Sequence, residues 1–246
     1  MNLLAFDTST ECMSVAVQRT VDAAGRALEP PQVWQHNAPG GALTSAHLIP
    51  CIEGLMAQAE LQFGQLDAIV FGRGPGSFTG LRTACAVAQG LAFGANVKVL
   101  PVDTLLAVAE QARHHHAATA EHFQVLALLD ARMDEMYAAG FTFLHGRWRQ
   151  IQEDCLIRPE DLAWDGTCAL AGNVFAAYGE RLPAPVALRL DALPSAAALL
   201  RLAPALLGSG AAVRAELALP YYIRDKVAKT TSERAAEKSA TSGRFA

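Results

Sequence analysis

The sequence predicts an α/β fold built from two related lobes, and three observations carry that prediction. Strands and helices follow the order βββαβαβα over the first 112 residues. A second pattern of strand, Asp, polar turn and strand begins near Gln124 and matches the chain's own beginning. The length of 246 residues exceeds a typical domain of about 150 and suits two lobes.

Leu3 to Asp7 and Ser14 to Gln18 read as strands joined by a tight polar turn, with Gln32 to His36 as a third strand. Ser45 to Leu61 carries Leu48, Ile52, Leu55 and Ala59 at helical spacing, with a second stripe at Ile49 and Met56. Pro50 either starts or kinks this helix. Ala68 to Gly72 then reads as a buried strand, Gly72 to Gly80 as a glycine-rich loop and Leu81 to Gly94 as a helix. Val97 to Val102 follows as a strand and Thr104 to Ala112 as a helix. A meander followed by βαβα implies a mixed sheet covered by helices, the order of a ribonuclease-H-like lobe.

The second half aligns with the first at an offset of 123, which pairs Asp7 with Asp130, Met13 with Met136 and Ala16 with Ala139. Further on, Ser195 to Leu207 reads as a helix and Leu219 to Ile223 as extended. The expected division is 1–103 for the first lobe, 104–223 for the second and 224–246 for a basic, disordered tail.

Composition narrows the function classes. Net charge is −4, so a generally basic nucleic-acid-binding surface is excluded. The charge is unevenly spread: residues 1–223 hold 14 basic and 21 acidic residues, while 224–246 hold 6 and 3. Five scattered cysteines without a C-x-x-C pair argue against a disulfide scaffold or a zinc ribbon. The N-terminus lacks a basic start and reaches Asp7 early, unlike a signal peptide. The apolar stretch 192–213 is interrupted by Arg201, Pro204 and Gly208, which makes it a poor membrane span. A reducing cytoplasm is the expected setting.

The sharpest motif is GRGPGSFTGLR, comprising Gly72, Arg73, Gly74, Pro75, Gly76, Ser77, Phe78, Thr79, Gly80, Leu81 and Arg82. It lacks the Gly-Lys-Ser/Thr of a Walker loop and the spacing of G-x-G-x-x-G. Two readings stay open: a tight strand-to-helix turn with Thr79 capping the helix, or a phosphate or partner contact favoured by Arg73 and Arg82. Ser77 lacks the second glycine of a nucleophile elbow and reads as a loop residue. His114, His115 and His116 point in different directions on a helix and read as a solvated helix end. His47 and Cys51, four residues apart, read as a packed helix face.

Together LLAFDTST, FGRGPGSFTGLR, AVAQGLAFG, DARMDEMY and YYIRDKVA resemble the TsaB family, also called YeaZ, from Met1 to about Ala228. The resemblance implies an actin-like, sugar-kinase-like duplicated fold and a role in making the tRNA modification threonylcarbamoyladenosine. It further implies a non-catalytic dimerisation partner for a TsaD-like catalytic subunit, with a TsaE-like ATPase joining, a homodimer in isolation and tRNA reached through the complex. The His-x-x-x-His that a TsaD-like metal site needs is missing from PVDTLLAVAEQ, residues 101–111. No catalytic or metal-ligating residue is therefore expected.

Asp7 and Asp130 lie where actin-like ATPases place acidic residues and are weak cofactor candidates; Asp7 with Thr8 and Ser9 equally suits a local turn. No cofactor is expected on the chain alone, with ATP at the complex interface as the remaining possibility. The family places its contact on the two helices of the first lobe, here Ile49, Met56, Ala84, Val87, Ala88 and Leu91. The alternative is a glycoprotease-like metallopeptidase or a small-molecule kinase of the actin-like fold.

Overall fold

The computed structural model describes residues 1–22, 24–183 and 188–224. In the first half, β1 (Leu3–Asp7), β2 (Cys12–Val21) and β3 (Ala27–Pro39) form an antiparallel meander, and β4 (Ala68–Gly74) and β5 (Lys98–Asp103) extend it in parallel from β1. In the second half, β6 (His122–Arg132), β7 (Glu135–Leu144) and β8 (Arg147–Ile157) repeat the meander, with β9 (Ala169–Gly172) and β10 (Arg189–Asp191) in parallel beside β6. The strand orders β3-β2-β1-β4-β5 and β8-β7-β6-β9-β10 are the same order read twice. Duplication is thus a property of the topology.

Burial explains the placement of helices. Every residue of β1 is buried, as expected of a strand covered on both faces. One face of the first sheet sets Leu4, Phe6, Val15, Val17 and Phe71 beneath α1 (Thr44–Gln58) and α2 (Phe78–Ala95). Its other face sets Leu3, Ala5, Ala16, Leu100 and Val102 against α5 (Ala196–Gly208). The helix α3 (Thr104–His116) puts Leu105, Val108, Ala109 and Ala112 on Val125, Ala127 and Leu129 of the second sheet. The second sheet's outer face carries Leu126, Leu128 and Met136 under Leu162 and under Tyr178 of the short α4 (Phe175–Tyr178). The two halves therefore exchange helices: α3 covers the sheet that follows it, and α5 returns to cover the first.

A buried carboxylate fastens this exchange. Glu110 on α3 is 2% exposed and accepts from Arg113 at 3.1 and 3.2 Å, from Arg201 of α5 at 2.8 Å and from Trp148 of β8 at 2.9 Å. Burial alone would raise its pKa. The hydrogen bonds from Arg113, Trp148 and Arg201 outweigh burial and hold the carboxyl below its ordinary 4.5.

Several sequence expectations change. Pro50 lies inside α1. Gly72 to Gly74 belong to β4, and α2 begins at Phe78 with Ser77 as its cap, accepting from the Gly80 N–H at 3.4 Å. Thr79 is therefore not the cap, and Ser77, read as a plain loop residue, has that role. Arg224 is folded against the second lobe through Glu135, and 225–246 of the expected disordered tail lies outside the described residues.

The offset of 123 does not hold across both strands, because Asp7 lies opposite Ser14 whereas Asp130 lies opposite Met136. The second turn is one residue shorter. A one-residue slip reverses every side chain, so the Asp pair and the Met and Ala pairs cannot all be equivalent.

Candidate functional site

A cleft of about 860 Å³ opens between the lobes, lined by the Ser9–Cys12 turn, Pro75 to Thr79, Asp130 to Met133 and the Tyr221–Arg224 segment. The glycine-rich motif forms one wall, and its glycines allow backbone to meet backbone. A Cβ at Gly80 would stand 1.8 Å from the Thr8 carbonyl oxygen, and one at Gly72 would stand 1.8 Å from Asp7 Oδ2. Hydrogen bonds seal the same contact: the Thr8 hydroxyl donates to Gly80 O at 2.7 Å, and the Ser77 N–H donates to Ser9 O at 2.7 Å. Gly74 N–H donates to Thr104 Oγ1 at 3.1 Å, and Tyr221 N–H donates to Arg73 O at 2.7 Å. Of the two readings of this motif, tight packing of strand, hairpin and helix accounts for these atoms.

Both arginines make contacts within the protein, Arg82 on its exposed surface. Arg73 Nε donates to Asp103 Oδ1 at 2.6 Å, with its guanidinium 5.3 Å from the Tyr221 ring. Arg82 lies 3.7 Å over Phe78 and donates to the Tyr222 hydroxyl at 3.2 Å.

The two aspartates occupy unlike environments. Asp7 is fully buried, and its Oδ1 accepts from Ser9 N–H at 2.9 Å and Ser9 Oγ at 2.6 Å, the local turn anticipated from DTST. Its Oδ2 has no hydrogen-bond partner. Asp7 does not line the cleft, and Gly72 closes over it. Asp130 does line the cleft, but Tyr178 donates to its Oδ1 at 2.9 Å and Arg132 N–H donates to the same oxygen at 2.8 Å. Arg132 Nη1 stands 3.3 Å from Asp130 Oδ2, and the same guanidinium crosses the cleft to Glu11.

Burial raises the Asp7 pKa against the opposing Ser9 bonds. The folded state then holds the Asp7 proton more tightly than the unfolded chain. That stabilising contribution is present below the ordinary value of 3.8 and is lost as pH rises through the folded value. Urea unfolding from about pH 4 to about pH 8 should show wild type losing stability relative to Asp7→Asn; parallel curves would contradict it.

The expected interface residues separate by burial. Met56 is 3% exposed, and Ala84 and Ala88 are fully buried, all packed on the first sheet, so none presents a side chain to a partner. Val87 and Leu91 are half-buried beside them, and Ile49 is exposed. A Met56→Glu change would bury a charge in the core and test folding instead of docking. His47 is exposed, so only Cys51 of that pair packs on the core.

The outer faces of α1 and α2 instead display Ile49, Gly54, Ala86, Gly90, Phe93 and Gly94. A Cβ added at Gly54, Gly90 or Gly94 would meet nothing within 4 Å. Phe93 is 82% exposed, an uncovered aromatic beside a row of small residues.

The family model described as TsaD, tRNA N6-adenosine threonylcarbamoyltransferase, matches residues 41–242. The tRNA threonylcarbamoyladenosine biosynthesis protein TsaB of Haemophilus influenzae is 32% identical, with 92% of this chain and 95% of the relative covered. The chain belongs to the TsaB family. Escherichia coli TsaB is 31% identical over 93% of this chain and 96% of its own length. Among solved structures, YeaZ from Pseudomonas aeruginosa matches with a TM-score of 0.76 and 38% identity, over 90% of this chain and 99% of that one.

Membership of the TsaB family places the chain in the biosynthesis of tRNA threonylcarbamoyladenosine, on a duplicated, actin-like, ribonuclease-H-like fold. Among the described residues no helix is long and apolar enough to cross a membrane. Sequence reasoning missed Glu11, which meets Arg132 across the cleft, Tyr222, which packs on Phe78 of the opposite segment, and Tyr178, which donates to Asp130 from within the second lobe. The YYIR and DAR segments of the TsaB pattern pointed at this region without naming those pairings.

Proposed function

We propose that the chain is a non-catalytic dimerisation and activating subunit that docks on a TsaD-like catalytic subunit through the outer faces of α1 and α2. The observation that carries it is the exposed row Ala86, Gly90 and Gly94 beside Ile49 and Phe93. Residues four apart on a helix form a ridge, and small ones let a second helix approach closely. The transferase family model spans both helices, which supports a partner with a related helix pair meeting this one face to face.

In this proposal the first lobe, 1–103, is the docking lobe and 104–223 holds it in shape. The same face serves self-association of the isolated chain, a TsaE-like ATPase joins the assembled pair, and ATP is held only within the complex. The setting is the cytoplasm.

Gly90→Leu and Phe93→Glu both change exposed positions and leave the core untouched. Each should weaken co-elution with the TsaD-like subunit, raising Kd at least about tenfold with thermal unfolding retained. Wild-type affinity in both variants would contradict this placement.

A further inference from the structure

Five of the chain's seven histidines gather at one end of the molecule, away from both the cleft and the α1/α2 face. His114, His115 and His116 form the exposed last turn of α3, His122 starts β6, and His145 sits in the turn between β7 and β8. Hydrogen bonds join these segments: Arg113 Nη1 donates to Ala118 O at 3.2 Å, and His145 N–H donates to Glu121 O at 3.2 Å. Arg113 also lies 4.1 Å over Phe143 of β7.

The charges around this end are lopsided. From α3 come Arg113 and the buried Glu110, from α5 comes Arg201, from β8 Arg147 and Arg149, and from the 117–121 turn Glu121. The helix α5 carries no acidic residue. Glu110 is consumed by Arg113 and Arg201, which leaves Glu121 as the exposed acid among five imidazoles, Arg147 and Arg149. In a body with 14 basic and 21 acidic residues, this end gathers basic side chains, and protonated imidazoles would add to its positive charge. Burial and then Arg201 hold the His114 pKa below its ordinary 6.5, so its charge arrives late as pH falls.

We propose that this histidine-rich end is a phosphate-backbone contact for RNA, engaged directly by this chain and strengthened by protonation. Membership in a tRNA-modifying family supplies a polyanion of matching charge, and phosphate oxygens accept from imidazolium and guanidinium donors. The proposal rests on that family role, and it adds a direct contact where the complex alone was expected to reach tRNA. A bound phosphate favours the protonated imidazole, so binding and proton uptake reinforce each other.

The test measures anisotropy of a fluorescently labelled, unmodified tRNA transcript titrated with the full chain at about pH 6 and about pH 8. Affinity should rise about tenfold at the lower pH and fall steeply with salt, as expected when a few phosphates are neutralised. The His114→Ser/His115→Ser/His116→Ser variant should lose most of that rise, and Arg147→Glu should weaken binding at both pH values. All four positions are exposed, and an unchanged thermal midpoint confirms folding. Absent tRNA binding, a flat wild-type pH profile, or the same rise in the triple variant would overturn the proposal. So would equal binding to anionic phosphatidylglycerol vesicles, which would assign the patch to a membrane surface. Co-elution of the triple variant with the TsaD-like subunit should be unchanged, so loss of RNA binding and failure of the docking proposal read out separately.

Discussion

Replacing Glu110 with alanine lowers the unfolding free energy by about 3–5 kcal/mol, because it leaves buried positive charge without its partner. Arg113 and Arg201 converge on this carboxylate with side chains 12% and 26% exposed, and Trp148 donates its indole N–H to it. Those donors come from α3, α5 and β8, so the loss falls on the junction where the two halves exchange helices. Glu110→Gln preserves shape and removes charge, and should cost nearly as much. The depressed pKa adds a pH signature: the contribution is present above the ordinary 4.5 and is lost as pH falls through the folded value. Urea midpoints of wild type and variant should therefore converge in acid. A loss below about 1 kcal/mol, typical of an exposed ion pair, would contradict this role for Glu110.

The same glycine-to-alanine exchange should act in opposite directions at two ends of α2. At Gly80 the new methyl would stand 1.8 Å from the Thr8 carbonyl oxygen, a backbone atom that the β1–β2 hairpin holds in place. Relief requires pulling the start of α2 off that hairpin, breaking the Thr8 hydroxyl bond to Gly80 O. The expected loss is about 3 kcal/mol, at the upper end of overpacking penalties. At Gly90 the methyl meets nothing within 4 Å, so helix propensity alone operates and stability should rise by about 0.5–1 kcal/mol. Chemical denaturation of both variants checks the sign directly. A neutral Gly80→Ala would show that the close approach in the motif is not required.

These two cases show how much was legible before the structure. Apolar spacing placed α1, α2 and α3 within a few residues, because Leu48, Ile52 and Leu55 recur at the period of a helix facing a sheet. The glycine-rich segment was visible as a motif, yet composition could not distinguish a phosphate cradle from backbone packing. The partners of Gly72 and Gly80, which lie in the first hairpin, show the close packing that composition does not.

On α2 the rows Ala84, Ala88, Ala92 and Ala86, Gly90, Gly94 are both small, and small residues suit a sheet beneath or a partner above. The periodicity therefore gave the helix without its outward side. Glu110 escaped notice for a different reason. Arg113 is a local i,i+3 partner of the kind common on solvated helix faces, whereas the partners that bury Glu110, Trp148 and Arg201, lie 38 and 91 residues away, and no local spacing signals such a pairing.

The most direct test of the docking role is reconstitution of tRNA threonylcarbamoylation from purified components, with the chain present, omitted, or replaced by the Gly90→Leu/Phe93→Glu double variant. Product should form with the wild-type chain, fall at least about tenfold with the double variant, recover as that variant is raised in concentration, and be absent with the isolated chain. Full product without the chain, or turnover by the isolated chain alone, would contradict a docking subunit that leaves the bond chemistry to its partner.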